Sequence, residues 1–193
     1  EVGGWVIDQQ YMDQMGSPVV LAHGLGVPVA DAVTTVKLPG PGRYRVWART
    51  RDWAATFNAP GTPGEFRLLV DSEALPATFG TRRADWHWQT GGTIQVEPGR
   101  EEITLTLKDL KGFDGRCDAI FFTTDPKGFP PDEAGKEMRH WREKLLGLEQ
   151  PPQLTNQRRQ CRHSVDQQLD AVVLARIMGG GNHGDVGTAR VPS

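Results

Sequence analysis

Apolar and polar positions alternate strictly from Tyr44 to Arg51. Tyr44, Val46, Ala48 and Thr50 share one face, and Arg45, Trp47, Arg49 and Arg51 share the other. A period of two reads as a strand with two unlike faces, the first set turned to a core. Ala32, Thr34, Val36 and Leu38 alternate in the same way. With the Pro-Gly-rich turn at 39–42 between them, residues 32–51 read as a hairpin. Further short strands are predicted at Val19–Ala22, at Phe66–Val70, at Thr93–Val96 after a Gly91-Gly92 turn, at Glu102–Leu107 and at Cys117–Thr123. Leu75–Phe79 is extended but carries Pro76, which places it at an edge. Trp5-Val6-Ile7 is a short apolar run, and Asp8 to Gly16 reads as a loop or a single helical turn. About eight or nine short strands separated by turn residues predict an all-β fold, an antiparallel β-sandwich of the jelly-roll kind.

The pattern breaks after Asp125-Pro126. A Gly/Pro linker follows at 127–131. From Asp132 to Leu146, Met138, Trp141 and Leu145 recur at helical spacing, with acids early and bases late. Residues 1–125 carry 12 bases against 16 acids, and the remaining 68 carry 10 against 8. Pattern and charge together divide the chain into a sandwich at 1–125, a linker with a short helix at 126–148, and a disordered or truncated stretch at 149–193.

Composition narrows the partners. Gly (23) and Pro (14) punctuate the 193 residues heavily, which favours strands and turns over long helices. A net charge of -2 recommends neither nucleic acid nor an anionic membrane surface. Two cysteines, Cys117 and Cys161, make no disulfide framework and no metal-binding spacing. No apolar run approaches the roughly 20 residues of a membrane span. The chain opens at Glu1 without signal-peptide features, as a mature or excised fragment does, and a periplasmic or extracellular setting is favoured.

Chemistry-bearing residues are few. Trp53, Phe57, Trp86 and Trp88 are either core anchors or a flat platform of the kind that stacks on sugar rings. Trp86 and Trp88 share a face if their segment is extended. Arg49, Arg51 and Asp52 are suited to sugar hydroxyls or a carboxylated sugar, or else to an exposed ion-pair ladder with Glu65. Asp114-Gly115 is a turn signal. Asp118 lies within an apolar strand and requires a cation, an arginine or backbone N–H groups. One carboxylate alone does not make a calcium site. His23, His87 and His140 show no metal-ligand spacing, no serine sits in a nucleophile elbow, and Cys117 reads as a buried inert thiol. The Gly-rich loop at His23–Gly26 lacks the features of a phosphate cradle.

Residues 3–32 and 42–53 (GRYRVWARTRDW), extended by 86–92 (WHWQTGG) and 107–123 (LKDLKGFDGRCDAIFFT), resemble the N-terminal region of bacterial FAD-dependent oxidoreductase family proteins. The resemblance covers roughly residues 1–148. It implies a sandwich similar to carbohydrate-binding jelly rolls of the golvesin/xanthan-lyase-like type, placed before a flavin-binding domain. Such relatives hold calcium through an early Glu and a late Asp. Asp118 matches the late position, while Glu1 stands too close to the GGW motif to match the early one. FAD belongs to the complete parent protein: the tail at 171–187 has no G-x-G-x-x-G turn followed by a helix pattern. The implied function is a non-catalytic carbohydrate-binding-like module, with Arg49, Arg51, Asp52, Trp53, Trp86 and Trp88 as ligand residues. The alternatives are an interaction domain packed on the flavoenzyme without independent ligand binding, and a fragment of an active oxidoreductase.

Overall fold

The computed structural model describes residues 1–130 and 172–175. The strands are β1 (Val6–Asp8), β2 (Val19–His23), β3 (Ala32–Lys37), β4 (Gly42–Thr50), β5 (Phe66–Val70), β6 (Glu73–Ala74), β7 (His87–Val96), β8 (Glu102–Asp109), β9 (Phe113–Thr123) and β10 (Val172–Ala175), with one helical turn, α1 (Met12–Met15). One sheet runs β1-β2-β9-β4-β7, with β10 also paired to β9; the other runs β3-β8-β5-β6. Every pairing is antiparallel. From β2 to β5 the chain changes sheet at each step, and it does so again from β7 to β9, which makes the sandwich a jelly roll.

The core lies between the sheets. Tyr44, Val46 and Ala48 of β4, Phe66, Leu68 and Val70 of β5, Ile103, Leu105 and Leu107 of β8, and Ile120 and Phe122 of β9 meet there. These are the apolar sets that alternation assigns to an inner face. Trp5 is also buried, edge-on to Phe66 at 5.6 Å. Burying an indole of about 150–250 Å² is worth on the order of 4–6 kcal/mol, which fastens the N-terminal segment over the sandwich.

The hairpin expected at 32–51 does not form. β3 pairs with β8, and β4 pairs with β7 and β9, so the Pro-Gly segment at 38–41 crosses from one sheet to the other. A sheet-crossing turn and a hairpin turn need the same Gly and Pro residues, and alternation does not distinguish them. The Gly91-Gly92 turn is also corrected, because both glycines lie inside β7. A register shift between Val46 and Trp47 marks a bulge opposite them. A Cβ on Gly91 would stand 2.8 Å from Leu75 Cδ1 and 3.0 Å from Phe79 Cζ, so the glycines admit the 75–79 segment against the strand. That segment forms a single bridge, Phe66 with Phe79, rather than a strand. Asp114-Gly115, a turn signal, lies within β9, where Asp114 takes φ 61° beside a bulge at Ala22/His23.

Residues 126–129 pack back on β4. Arg45 Nη1 donates to the carbonyls of Pro126 (2.8 Å) and Gly128 (3.0 Å). The Arg45 guanidinium lies over the rings of Trp47 and Phe129. The expected helix at 132–146 lies outside the described residues. Within 149–193 the described residues are those of β10, paired with Ile120–Thr123 of β9.

Candidate functional site

Two neighbourhoods hold the chemistry-bearing residues. The first is the outer face of the β1-β2-β9-β4-β7 sheet. Arg49 and Asp118 form an ion pair there, with side chains 5% and 0% exposed. Asp118 Oδ1 also accepts from Ser17 Oγ at 3.3 Å. Arg49 is therefore not part of a ladder with Glu65, whose carboxylate takes the hydroxyl of Thr62. An Asp neutralised by a guanidinium does not fit calcium, which requires several oxygen donors and no competing cation. Among the described residues no group of three or more His, Cys, Asp or Glu is placed to hold a metal.

Aromatic rings and guanidiniums alternate across this face. Arg49 lies over Trp88 at 4.8 Å, and Trp88 meets Phe121 edge-on at 6.0 Å. Tyr11 packs edge-on to Trp86 at 5.4 Å, with Arg51 and Arg116 over its ring at 5.3 and 5.8 Å. Residues 9–17 thus fold over the sheet, and their Tyr11 covers what alternation alone presents as an open wall. Arg51 Nη2 donates to Thr56 Oγ1 at 2.8 Å. The Nε atoms of Arg51 and Arg116 and Nε1 of Trp86 are buried without a hydrogen-bond partner among the described residues.

The second neighbourhood is the loop end beyond β4. Thr50 Oγ1 donates to the Arg116 carbonyl and fixes the end of the strand. The Asp52 N–H donates to the carbonyl of Arg83 at 2.9 Å. Asp52 is buried, and its Oδ1 accepts from Ala54 N at 3.0 Å, opening a 3-10 turn at Ala54–Phe57. These bonds orient Trp53. Its Nε1 donates to the Phe113 carbonyl at 3.0 Å, and its ring stacks on Phe113 at 5.6 Å with 23° between the planes. Phe57 stands at 6.3 Å from Trp53, nearly perpendicular, and is 71% exposed.

Phe113 is braced from the far side. Nδ1 of His23 and Oδ1 of Asp114 are 2.6 Å apart. The Gly112 carbonyl accepts from the N–H groups of Gly24 and Gly26. Asp109 is buried and accepts from the backbone of Val29, Lys111 and Gly112. One carboxylate therefore ties the β2–β3 and β8–β9 loops together and fixes the start of β9, where Phe113 lies.

Of the six residues expected to bind a ligand, Trp53 belongs to the loop end, while Arg49, Trp86 and Trp88 belong to the sheet face. Arg49 and Asp52 are buried in internal bonds, and Arg51, Trp53, Trp86 and Trp88 are half-buried. Phe113, His23 and Asp114 were not singled out for the platform. Phe113 follows Gly112 at the start of β9, and nothing in the local pattern shows that it meets Trp53. Three groups show perturbed acidity. Burial raises the Tyr44 pKa; the bond to the Gly40 carbonyl opposes this, and the Glu101 charge adds to it. Burial lowers the His87 pKa; the Asp85 carbonyl opposes this, and the Arg83 and Arg82 charges add to it. Burial raises the Cys117 pKa, with the Asp118 charge adding and Arg49 opposing, so the thiol is inert as expected. Among the described residues no helix is long and apolar enough to cross a membrane.

Fold and site together define an antiparallel β-sandwich that presents an anchored aromatic platform at one loop end. No family description matches the chain, and no curated protein matches it. Among solved structures, it is similar to a family 35 carbohydrate-binding module from an environmental isolate. The identity is 17%, over 66% of this chain and 94% of that one, with a TM-score of 0.42. It is also similar to the CBM35 from Cellvibrio japonicus Abf62, at 18% identity over 60% of this chain and 81% of that one, with a TM-score of 0.37.

Proposed function

We propose that the sandwich is a non-catalytic carbohydrate-binding module, and that Trp53, Phe57 and Phe113 form the surface on which a sugar ring lies. The stacked, hydrogen-bond-anchored Trp53–Phe113 pair carries this reading. A pyranose offers an apolar C–H face ringed by hydroxyls. A rigid aromatic face covers the first, and the His23–Asp114 pair, beside Phe113 in the chain and the sheet register, supplies polar groups for the second. Preorganisation by Asp109 and Asp52 lowers the ordering cost of binding. Arg51 reaches the turn beside Trp53 through Thr56, while Trp86 and Trp88 lie on the neighbouring sheet face.

A glycan array with the full chain tests this, followed by titration of the best ligand against Trp53→Ala and Phe57→Ala. Trp53→Ala weakens binding about tenfold or more, the factor for ~1.4 kcal/mol at a central aromatic contact. Phe57 is so exposed that its truncation leaves stability untouched. Any loss of binding in Phe57→Ala therefore reports contact and not unfolding. A wild-type chain that binds no glycan on the array removes the reading.

The place of this module before a flavin-binding domain rests on the resemblance of residues 3–32, 42–53, 86–92 and 107–123. Purification of the chain with excess FAD tests the non-catalytic half of the proposal. A colourless chain agrees with it, and a yellow stoichiometric complex contradicts it.

A further inference from the structure

A loop with two exposed aliphatic side chains lies against the residue before Phe113. A Cβ built on Gly112 would stand 2.0 Å from the Val27 carbonyl oxygen, so the 24–27 loop lies directly against the start of β9. Leu25 and Val27 project from that loop and are 75% and 68% exposed. The loop is not slack. Val27 N–H donates to the Gly24 carbonyl at 3.0 Å, and Gly24 and Gly26 are bonded to Gly112. Val29 is held by Asp109. Leu25 itself takes φ 52°, a left-handed conformation that a bulky side chain adopts only at a cost of order 1–3 kcal/mol and only when its surroundings enforce it. A strained turn thus displays two exposed aliphatic side chains from a loop bonded to Gly112, the residue before the Phe113 that stacks on Trp53.

Aliphatic groups have no π face with which to meet the C–H bonds of a bare sugar ring, and a hydroxyl placed on them loses its hydrogen bonds to water. They match a methyl or acyl group. Building on the glycan reading above, we infer that the platform selects sugars bearing an apolar substituent, such as an acetyl ester or an N-acetyl group. The ring lies on Trp53 and Phe113, and the acyl methyl contacts Leu25 and Val27.

The test uses the full chain and matched ligand pairs: acetylated xylan, acetylated glucomannan and chitooligosaccharides, each against its deacetylated form. The acylated member binds at least about fourfold more tightly, the factor for one buried CH₂-sized group. Leu25→Ser and Val27→Ser erase that preference and leave binding of the deacetylated member unchanged. Both side chains are exposed, so neither variant should fail to fold. Equal binding of both members in every pair overturns this inference and leaves the glycan reading standing. Absence of binding to every pair and to every arrayed glycan overturns both.

Discussion

Replacing Arg49 by Ala leaves the Asp118 carboxylate in place without its guanidinium. The Asp118 side chain is 0% exposed, so water cannot take over the lost interaction. The hydroxyl of Ser17, at 3.3 Å, remains as a neutral donor and compensates only in part. Breaking a buried pair from one side costs about 3–5 kcal/mol. The cation–π contact with Trp88 at 4.8 Å adds roughly 0.5–2 kcal/mol to the loss. At about 3–4 °C per kcal/mol for a domain of this size, the melting temperature falls by roughly 10–15 °C or more. Removing both partners has a different outcome. Arg49→Met with Asp118→Leu leaves no charge uncompensated and restores most of the stability, because desolvating two ions offsets much of their attraction. Urea unfolding of the wild type, the single variant and the double variant measures both terms. An Arg49→Ala chain within about 1 kcal/mol of wild type would refute the assignment of this pair to a dry interior, and with it the claim that Tyr11 and its neighbours close over the face.

Gly112→Ala forces a left-handed residue with a Cβ against the Val27 backbone. It costs about 1–3 kcal/mol and weakens glycan binding while far-UV circular dichroism stays that of a β-sandwich; unchanged urea midpoints and binding would show that the loop gives way freely. His87 has a lowered pKa in the folded chain, so the unfolded chain takes up its proton first as pH falls through about 6.5. Its contribution to stability therefore declines below that pH, until the folded-state pKa is reached. His87→Gln should lose less stability than wild type between pH 7.5 and 5 in urea titrations, and an identical loss in both would contradict the assignment.

Strand faces were legible wherever one face meets the core. Phe66, Leu68 and Val70, or Ile103, Leu105 and Leu107, alternate because the sandwich has one interior. The pairing of those strands was not legible, because the same Pro-Gly sequence serves a hairpin and a crossing between sheets. The outer face of β4 left two readings open, a binding wall and an ion-paired surface. Three arginines and a tryptophan look like an open binding wall until Tyr11, Ser17, Pro126 and Phe129 arrive from distant parts of the chain and cover them. Alternation reports neighbours along a strand and is silent about segments that fold over it. The platform escaped notice for the same reason. Trp53 was singled out, but its partner Phe113 lies 60 positions away on another strand.

The grip of Arg45 on the Pro126 and Gly128 carbonyls fixes the course of the backbone just after β9. Arg45 lies near the start of β4 and Trp53 just past its end, and the five steps from Arg45 to Thr50 alone span roughly 16 Å at about 3.3 Å each. On the proposed glycan reading, a polysaccharide held at the Trp53 pole would stay clear of the Pro126–Gly128 segment at the other. Such a module would work like a boathook, with its catch and its handle at separate ends of a stiff shaft.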